Sequence, residues 1–294
     1  MQQYTTSIVR EGLSFGEGPR WHAGRLWYSD FYRHGVFSMA SDGSDERLEY
    51  AVANQPSGLG WLPNGDLLCV SALDHRVLRF SAGVESTFAD ISDYCGFWAN
   101  DMVVSASGYS YVGNFGFDLD SLLLEVGVEG LFASPPPTAN LVVLDPRGAV
   151  VQVVGDMAFP NGSVITPDGS TLIVAETMAF RLSAFDIEAD GTLSGQRVWA
   201  QLDFVATDGI CLDEQGQIWV ANAVAAQCLR VREGGEITAA VSTSQTSFAC
   251  MLGGEDRRTL FVMTAPTSDR FKTAGTTRGR IEVALVDDCG AGLP

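Results

Sequence analysis

The sequence predicts an all-β chain folded as a six-bladed β-propeller, one domain spanning residues 1–294. Three observations carry this expectation. A unit of strand, glycine-containing turn and second strand recurs six times. The lead residues of successive units lie 40, 43, 61, 47 and 41 positions apart, a period that suits a four-stranded blade. An orphan strand ahead of the first unit is available to close the ring.

The first unit, EGPRWHAGRLWYSD, starts at Glu17 and is followed by the strand GVFSM. The second, SGLGWLPNGDLLCVS, starts at Ser57 and continues into RVLRF. The third, NDMVVSASGYSYVGN, starts at Asn100. An insertion of about residues 114–138 explains the long interval after it, and holds FGFDLDSLLLEV and the loop SPPPT. Prolines cannot donate to a sheet ladder, so this segment is expected to cross one face of the disc. The fourth and fifth units are NGSVITPDGSTLIVAE from Asn161, followed by RLSAFDI, and DGICLDEQGQIWVAN from Asp208, followed by CLRVRE. The sixth, ACMLGGEDRRTLFVMT, starts more loosely at Ala249. TTSIVRE, Thr5 to Glu11, is expected to pair with GRIEVALVD, Gly279 to Asp287, and remove the open edge of the last blade. Two smaller β domains would need a linker, and no compositional break supplies one.

Composition narrows the function. With 46% hydrophobic and 18% charged residues the chain has material for a large core. Its net charge of −18, with Lys272 the only lysine, leaves no basic stripe for nucleic acid or an anionic membrane. The expected partner is a small-molecule substrate, and the chain is expected to be a monomer or a weak homo-oligomer. Six cysteines lie without zinc-type spacing, several inside apolar runs, and read as free thiols. The start lacks the basic patch and apolar run of a secretory signal, and no stretch approaches the ~18 apolar residues of a span, so a cytoplasmic location is expected.

Equivalent positions of equivalent blades lie on a ring around the axis. Glu17, Ser57, Asn100, Asn161, Asp208 and Ala249 hold those positions, and four of them carry carboxylate or carboxamide oxygen. Each Asn-Gly or Asp-Gly alone is an ordinary turn dipeptide. Four in register make a better ligand set: two carboxylates and one or two amides suit a hard divalent cation, Ca²⁺ most naturally. Without a cation, Glu17 and Asp208 would face each other in a desolvated channel, which is costly. His22, His34 and His75 occur singly, none at a lead position.

GEGPRW with Glu17, the Asn100–Asp101 pair, PNG with Asn161 and TDGI with Asp208 together resemble the senescence marker protein / gluconolactonase / luciferin-regenerating enzyme family over nearly the whole chain. That resemblance implies a six-bladed propeller with one divalent metal, calcium or zinc, held by Glu17, Asn161 and Asp208. It implies Asn100 as a further group beside the metal that touches substrate or a metal-bound water. Many members hydrolyse lactones. Sugar-lactonase members commonly carry an arginine two residues before the asparagine matching Asn100, where this chain has Trp98 in CGFWAND. An indole offers one donor and a broad apolar face in place of a five-donor fork, so a less polar substrate is expected. Phe159, with Phe97, Phe115 and Phe117, either extends that apolar wall or packs between blades.

The expected reaction is metal-assisted hydrolytic opening of a lactone. Asp208 is the expected general base, and Asp101 is a reserve base or a structural acceptor at the strand mouth. Asn100 would orient the substrate oxygen, and Trp98 would choose among lactones. Two alternatives use the same scaffold: phosphotriester hydrolysis or a lyase or hydratase step, and a calcium-binding propeller without catalysis.

Overall fold

Six four-stranded antiparallel blades occupy residues 16–51, 56–90, 99–157, 160–201, 207–242 and 246–285, the last completed by the N-terminal strand Ser7–Leu13. This computed structural model describes residues 1–134 and 136–293. Pro135, in the SPPPT part of the expected insertion, lies outside the described residues. Ser7–Leu13 pairs antiparallel with Gly279–Leu285, so the expected closing strand is present, shifted by two residues. A second N-terminal strand was not foreseen. Gln2–Thr5 pairs in parallel with Ile237–Ser242 and gives the fifth blade an extra, outermost strand.

Each blade follows the same physical logic. Inner strands such as Ala99–Val104 and Thr207–Leu212 are buried along their whole length, their polar lead residues included. Outer strands such as Val150–Met157 alternate partly buried and exposed residues, as an edge facing solvent should. Apolar clusters fill the wedges between neighbouring blades, one of them joining Leu26 and Tyr28 of the first blade to Phe261 of the sixth and Trp219 of the fifth. Among the described residues no helix is long and apolar enough to cross a membrane. All six cysteines are free, four of them buried.

The inner hairpin of every blade slips register by one residue near its lead position. In the fourth blade Pro160 pairs with Glu176 and the next pair is Ser163 with Val174, so Asn161 and Gly162 share the bulge. The same slip takes in Ser57, Asn100 and Asp208 in their blades, and in the first blade it directly follows Glu17. A bulge breaks the alternation of side chains and re-aims the bulged residue, here toward the axis.

The glycine after the lead residue has a separate cause. A Cβ on Gly162 would lie 2.6 Å from the Ile210 nitrogen and 2.7 Å from the Asp208 carbonyl oxygen of the next blade. On Gly209 it would lie 2.6 Å from the Ala249 Cα, and on Gly58 2.3 Å from the Met102 nitrogen. The inner strands therefore touch backbone to backbone around the axis, and only glycine leaves room.

Two connections on the site-bearing face are long. The insertion in the third blade forms helix α1 (Leu119–Ala133), capped by Asp118 and broken at Gly127, whose φ of 68° is left-handed. In the sixth blade residues 266–278 include the short helix α2 (Arg270–Thr273).

Alanine at Gly162 or Gly209 should lower stability by about 1–3 kcal/mol through this backbone overlap. Gly155→Ala, whose Cβ would meet only the Asn140 side-chain oxygen at 3.7 Å, is the control and should be neutral or slightly stabilising. Urea midpoints measure both.

Candidate functional site

Glu17, Asn100, Asn161 and Asp208 converge at the floor of one pocket on the face covered by α1 and α2. The two remaining lead residues serve them from outside. The Ser57 hydroxyl donates to Asn100 Oδ1 at 3.3 Å, and Ala249 packs against Gly209. The Asn100 amide Nδ2 donates to Asn161 Oδ1 at 3.1 Å, and Asn161 Nδ2 donates to the Thr177 hydroxyl at 3.2 Å.

Asp101 points away from this group toward Arg20. The guanidinium, 3% exposed, donates to Asp101 Oδ1 at 2.9 Å and to the carbonyls of Leu59 and Met102. One arginine thus spans three blades from below the floor and neutralises Asp101. Asp101 Oδ1 also accepts from its neighbour's amide, Met102 N, at 2.8 Å.

The floor remains negatively charged. Three carboxylates, Glu17, Asp101 and Asp208, face one guanidinium, which leaves two charges uncompensated. Burial is the first cause holding the Glu17 carboxyl well above its usual range, and the charges of Asp208 and Asp101 add to it. Asp208 is raised likewise by burial and then by Asp101, while Asn161 and the Gly209 amide pull the other way. The buried Asp208 Oδ1 has no hydrogen-bond partner. An orphaned, buried carboxylate oxygen beside a second carboxylate and two carboxamides is what a hard cation would satisfy. Among the described residues no three His, Cys, Asp or Glu side chains form a metal cluster, so such a site must draw donors from Asn161 and Asn100.

The pocket space, counted out through its open mouth into solvent, is about 670 Å³. Its walls are aromatic. Phe115 stacks on Phe159 at 4.6 Å between ring centroids, and Trp98 stacks on Phe97 at 4.8 Å. Phe15 and Phe248, 4.8 Å apart, line the opposite side. Phe159 holds a left-handed φ of 63°, uncommon for a bulky residue, and its ring is buried in the pocket wall. Phe117 lies behind that wall, against Leu131 and Phe159.

Arg270 closes the outer end. It donates twice to Asp118, at 2.7 and 2.8 Å, and its guanidinium carbon lies 5.1 Å from the Trp98 ring centroid. The contact ties α2 to the start of α1 across the mouth. Arg270 is the first cause lowering the Asp118 carboxyl, to about 2. A depressed pKa contributes stability above the ordinary aspartate range of about 4, lost as pH falls toward about 2. The latch is therefore intact at neutral pH.

A family model described as the SMP-30/gluconolactonase/LRE-like region matches residues 15–266. The chain belongs to this family. The family match spans the first five blades and two of the four strands of the sixth, and includes every floor residue. Regucalcin of Xenopus laevis is 23% identical over 267 residues, covering 88% of this chain and 85% of that protein. Regucalcin of Danio rerio is 25% identical over 171 residues, 56% of this chain and 54% of that protein. A luciferin-regenerating enzyme superposes with a TM-score of 0.80 at 17% identity, covering 99% of this chain and 98% of its own. A regucalcin from Agrobacterium tumefaciens, described as a calcium-binding protein, gives 0.76 at 19% identity over 99% and 97%. At these identities the structures share the fold.

Several functional residues escaped the sequence reading. Arg20 stands inside GEGPRW yet carries no mark of burial. Arg270 lies in the long connection 266–278, whose length was the available signal. Thr177 follows a strand as an ordinary hydroxyl. Conversely, GLSFG at residues 12–16 matches the GxSxG spacing of a serine elbow. Its Ser14 is 2% exposed, bonds the Thr273 carbonyl at 3.4 Å and lies between two strands, so it is no nucleophile elbow.

Glu17→Gln should stabilise the protein in chelator by about 1–2 kcal/mol, because it removes one of two facing charges. It should also abolish any stabilisation by added calcium; urea midpoints with and without calcium read both effects. Arg270→Ala should speed proteolysis within residues 119–133 about fivefold, roughly 1 kcal/mol for a part-exposed pair, and leave the global midpoint in place.

Proposed function

We propose that this chain is a divalent-cation-dependent hydrolase that opens the ring of an apolar lactone. The observation that carries the reading is the orphaned Asp208 Oδ1 on a floor with two uncompensated negative charges, beneath an aromatic pocket. Glu17, Asn161 and Asp208 would hold the cation, with Asn100 beside them. Their all-oxygen chemistry suits Ca²⁺ better than Zn²⁺. A cation held there supplies Lewis-acid polarisation of the lactone carbonyl.

The chain's own residues do the rest. Asp208 takes a proton from the water that adds to the acyl carbon, and that proton passes to the ring oxygen as the acyl–oxygen bond breaks. Asp101 is the weaker candidate for this role, because Arg20 and the Met102 amide already occupy its Oδ1. Asn100, 5% exposed on the pocket floor, orients a substrate oxygen through its amide. Trp98, Phe115 and Phe159 exclude water and present ring faces to an alkyl or aryl substituent. Arg270 brings a guanidinium near the position where sugar-lactonase members keep theirs, but Asp118 engages it twice, leaving the wall poor in free donors. The fold neighbours described as a gluconolactonase from Xanthomonas campestris (TM-score 0.71, 20% identity, 98% of this chain and 89% of that one) and as a calcium-binding regucalcin support lactone and calcium respectively. We read the protein as cytoplasmic, acting on a small molecule, and monomeric or weakly self-associating.

The test is turnover of γ- and δ-lactones of graded polarity, with a phosphotriester in parallel, in chelator and in calcium. Cation-dependent opening that favours alkyl- or aryl-substituted lactones is expected, and Asp208→Ala should lose at least ~10²-fold. Trp98→Arg should shift preference toward hydroxylated lactones by about tenfold or more. A calcium-loaded protein that cleaves the phosphotriester and no lactone would replace this reaction with the alternative on the same scaffold. Binding of calcium with no turnover of either would leave a binding propeller.

A further inference from the structure

Asn161 and Asn100 look equivalent in sequence, yet their surroundings treat the two ends of each carboxamide differently. Thr177, 5% exposed, stands just beyond the strand Thr171–Glu176 and reaches the next blade. Its Oγ1 donates to the Thr207 carbonyl at 2.7 Å. That carbonyl can only accept, so the single hydroxyl proton of Thr177 is committed there. The Thr177 oxygen can then only accept from its second partner, the Asn161 carboxamide at 3.2 Å. Asn161 must turn its NH₂ end to Thr177, and its oxygen faces the floor, where Asn100 Nδ2 meets it at 3.1 Å.

Asn100 has no such lock. Its oxygen accepts from Ser57 Oγ at 3.3 Å, and a serine hydroxyl without a second fixed partner donates or accepts equally well. The orientation of Asn100 follows instead from Asn161, whose fixed oxygen can only accept and so keeps the Asn100 Nδ2 end turned toward it.

We propose that Thr177 is a positioning residue that fixes Asn161 as the committed oxygen donor to the cation. The assignment rests on the metal reading above. Thr177 does this by relaying the polarity of the Thr207 carbonyl through one hydroxyl. Since Thr207 directly precedes Asp208, the same hydroxyl ties the fourth blade's donor to the fifth blade's carboxylate. Asn100 is oriented in turn through Asn161, whose oxygen accepts from its Nδ2.

Calcium titration calorimetry of the full chain tests this, with urea midpoints in chelator as the control for folding. Thr177→Val keeps the β-branch and loses the hydroxyl, and should weaken calcium binding 10–100-fold, as loss of an orienting partner does. Thr177→Ser keeps the relay and should stay within about threefold of the parent. If the valine variant does not fold, Thr177→Cys, a weak donor and weak acceptor, should show an intermediate loss. Parental affinity in the valine or cysteine variant, or equal losses in serine and valine, overturns the assignment while leaving the metal site standing. A parent chain that binds no calcium overturns the metal reading and this assignment with it.

Discussion

Everything at the centre of the molecule depends on how closely six inner strands approach the axis. Glycine after the lead residue in four of the blades lets neighbouring backbones touch, at Gly18, Gly58, Gly162 and Gly209. The register slip beside it turns one side chain per blade out of the sheet plane. Neither device alone would make a site. Close packing without the bulge would bury the lead side chains in their own sheets, and bulges on splayed strands would aim polar groups at open water. Together they bring oxygen atoms from blades far apart in sequence to one floor.

That convergence sets an electrostatic problem, which the structure resolves only in part. Asp101 is neutralised by Arg20, a buried charge whose remaining donors go to carbonyls of its own and neighbouring blades. Glu17 and Asp208 receive no such partner; burial raises both, and the charges of Asp208 and Asp101 add to it at Glu17 and that of Asp101 at Asp208. A core built for stability alone would not leave this arrangement. The aromatic walls sharpen it, because they offer little polarisable water to spread the charge. Polarity is concentrated at the floor and at the Arg270 latch, with a hydrocarbon interval between them.

The blades were legible because their hydrogen bonding is local. Each strand pairs with the next across a short turn, so strand, turn and strand repeat visibly in the chain. Register within each copy placed Glu17, Asn100, Asn161 and Asp208 at matching positions, and the structure brings them to one pocket. Trp98 could be read by alignment to its neighbour Asn100. What escaped depends on contacts between distant segments. Gln2–Thr5 is only four residues long and largely exposed, so it has neither apolar alternation nor turn signals to announce a parallel strand. Arg20 is surrounded by residues of two other blades, and Arg270 meets Asp118 from the far side of the ring. The GLSFG motif shows the converse: the spacing is present, but the strand-to-helix turn that gives it meaning is absent.

The two N-terminal strands belong to different blades, and Thr6 stands at the step between them. Its hydroxyl donates to the buried Glu282 carboxylate of the sixth blade and lies 3.2 Å from the Ser242 carbonyl of the fifth. Four residues beyond the end of the second strand comes Glu17. The stretch 2–17 is thus a drawstring: it cinches the seam where the circle meets itself, then runs straight into the first acidic ligand candidate. Only three residues separate the closing strand from Glu17, so the seam and the floor share one short stretch of backbone.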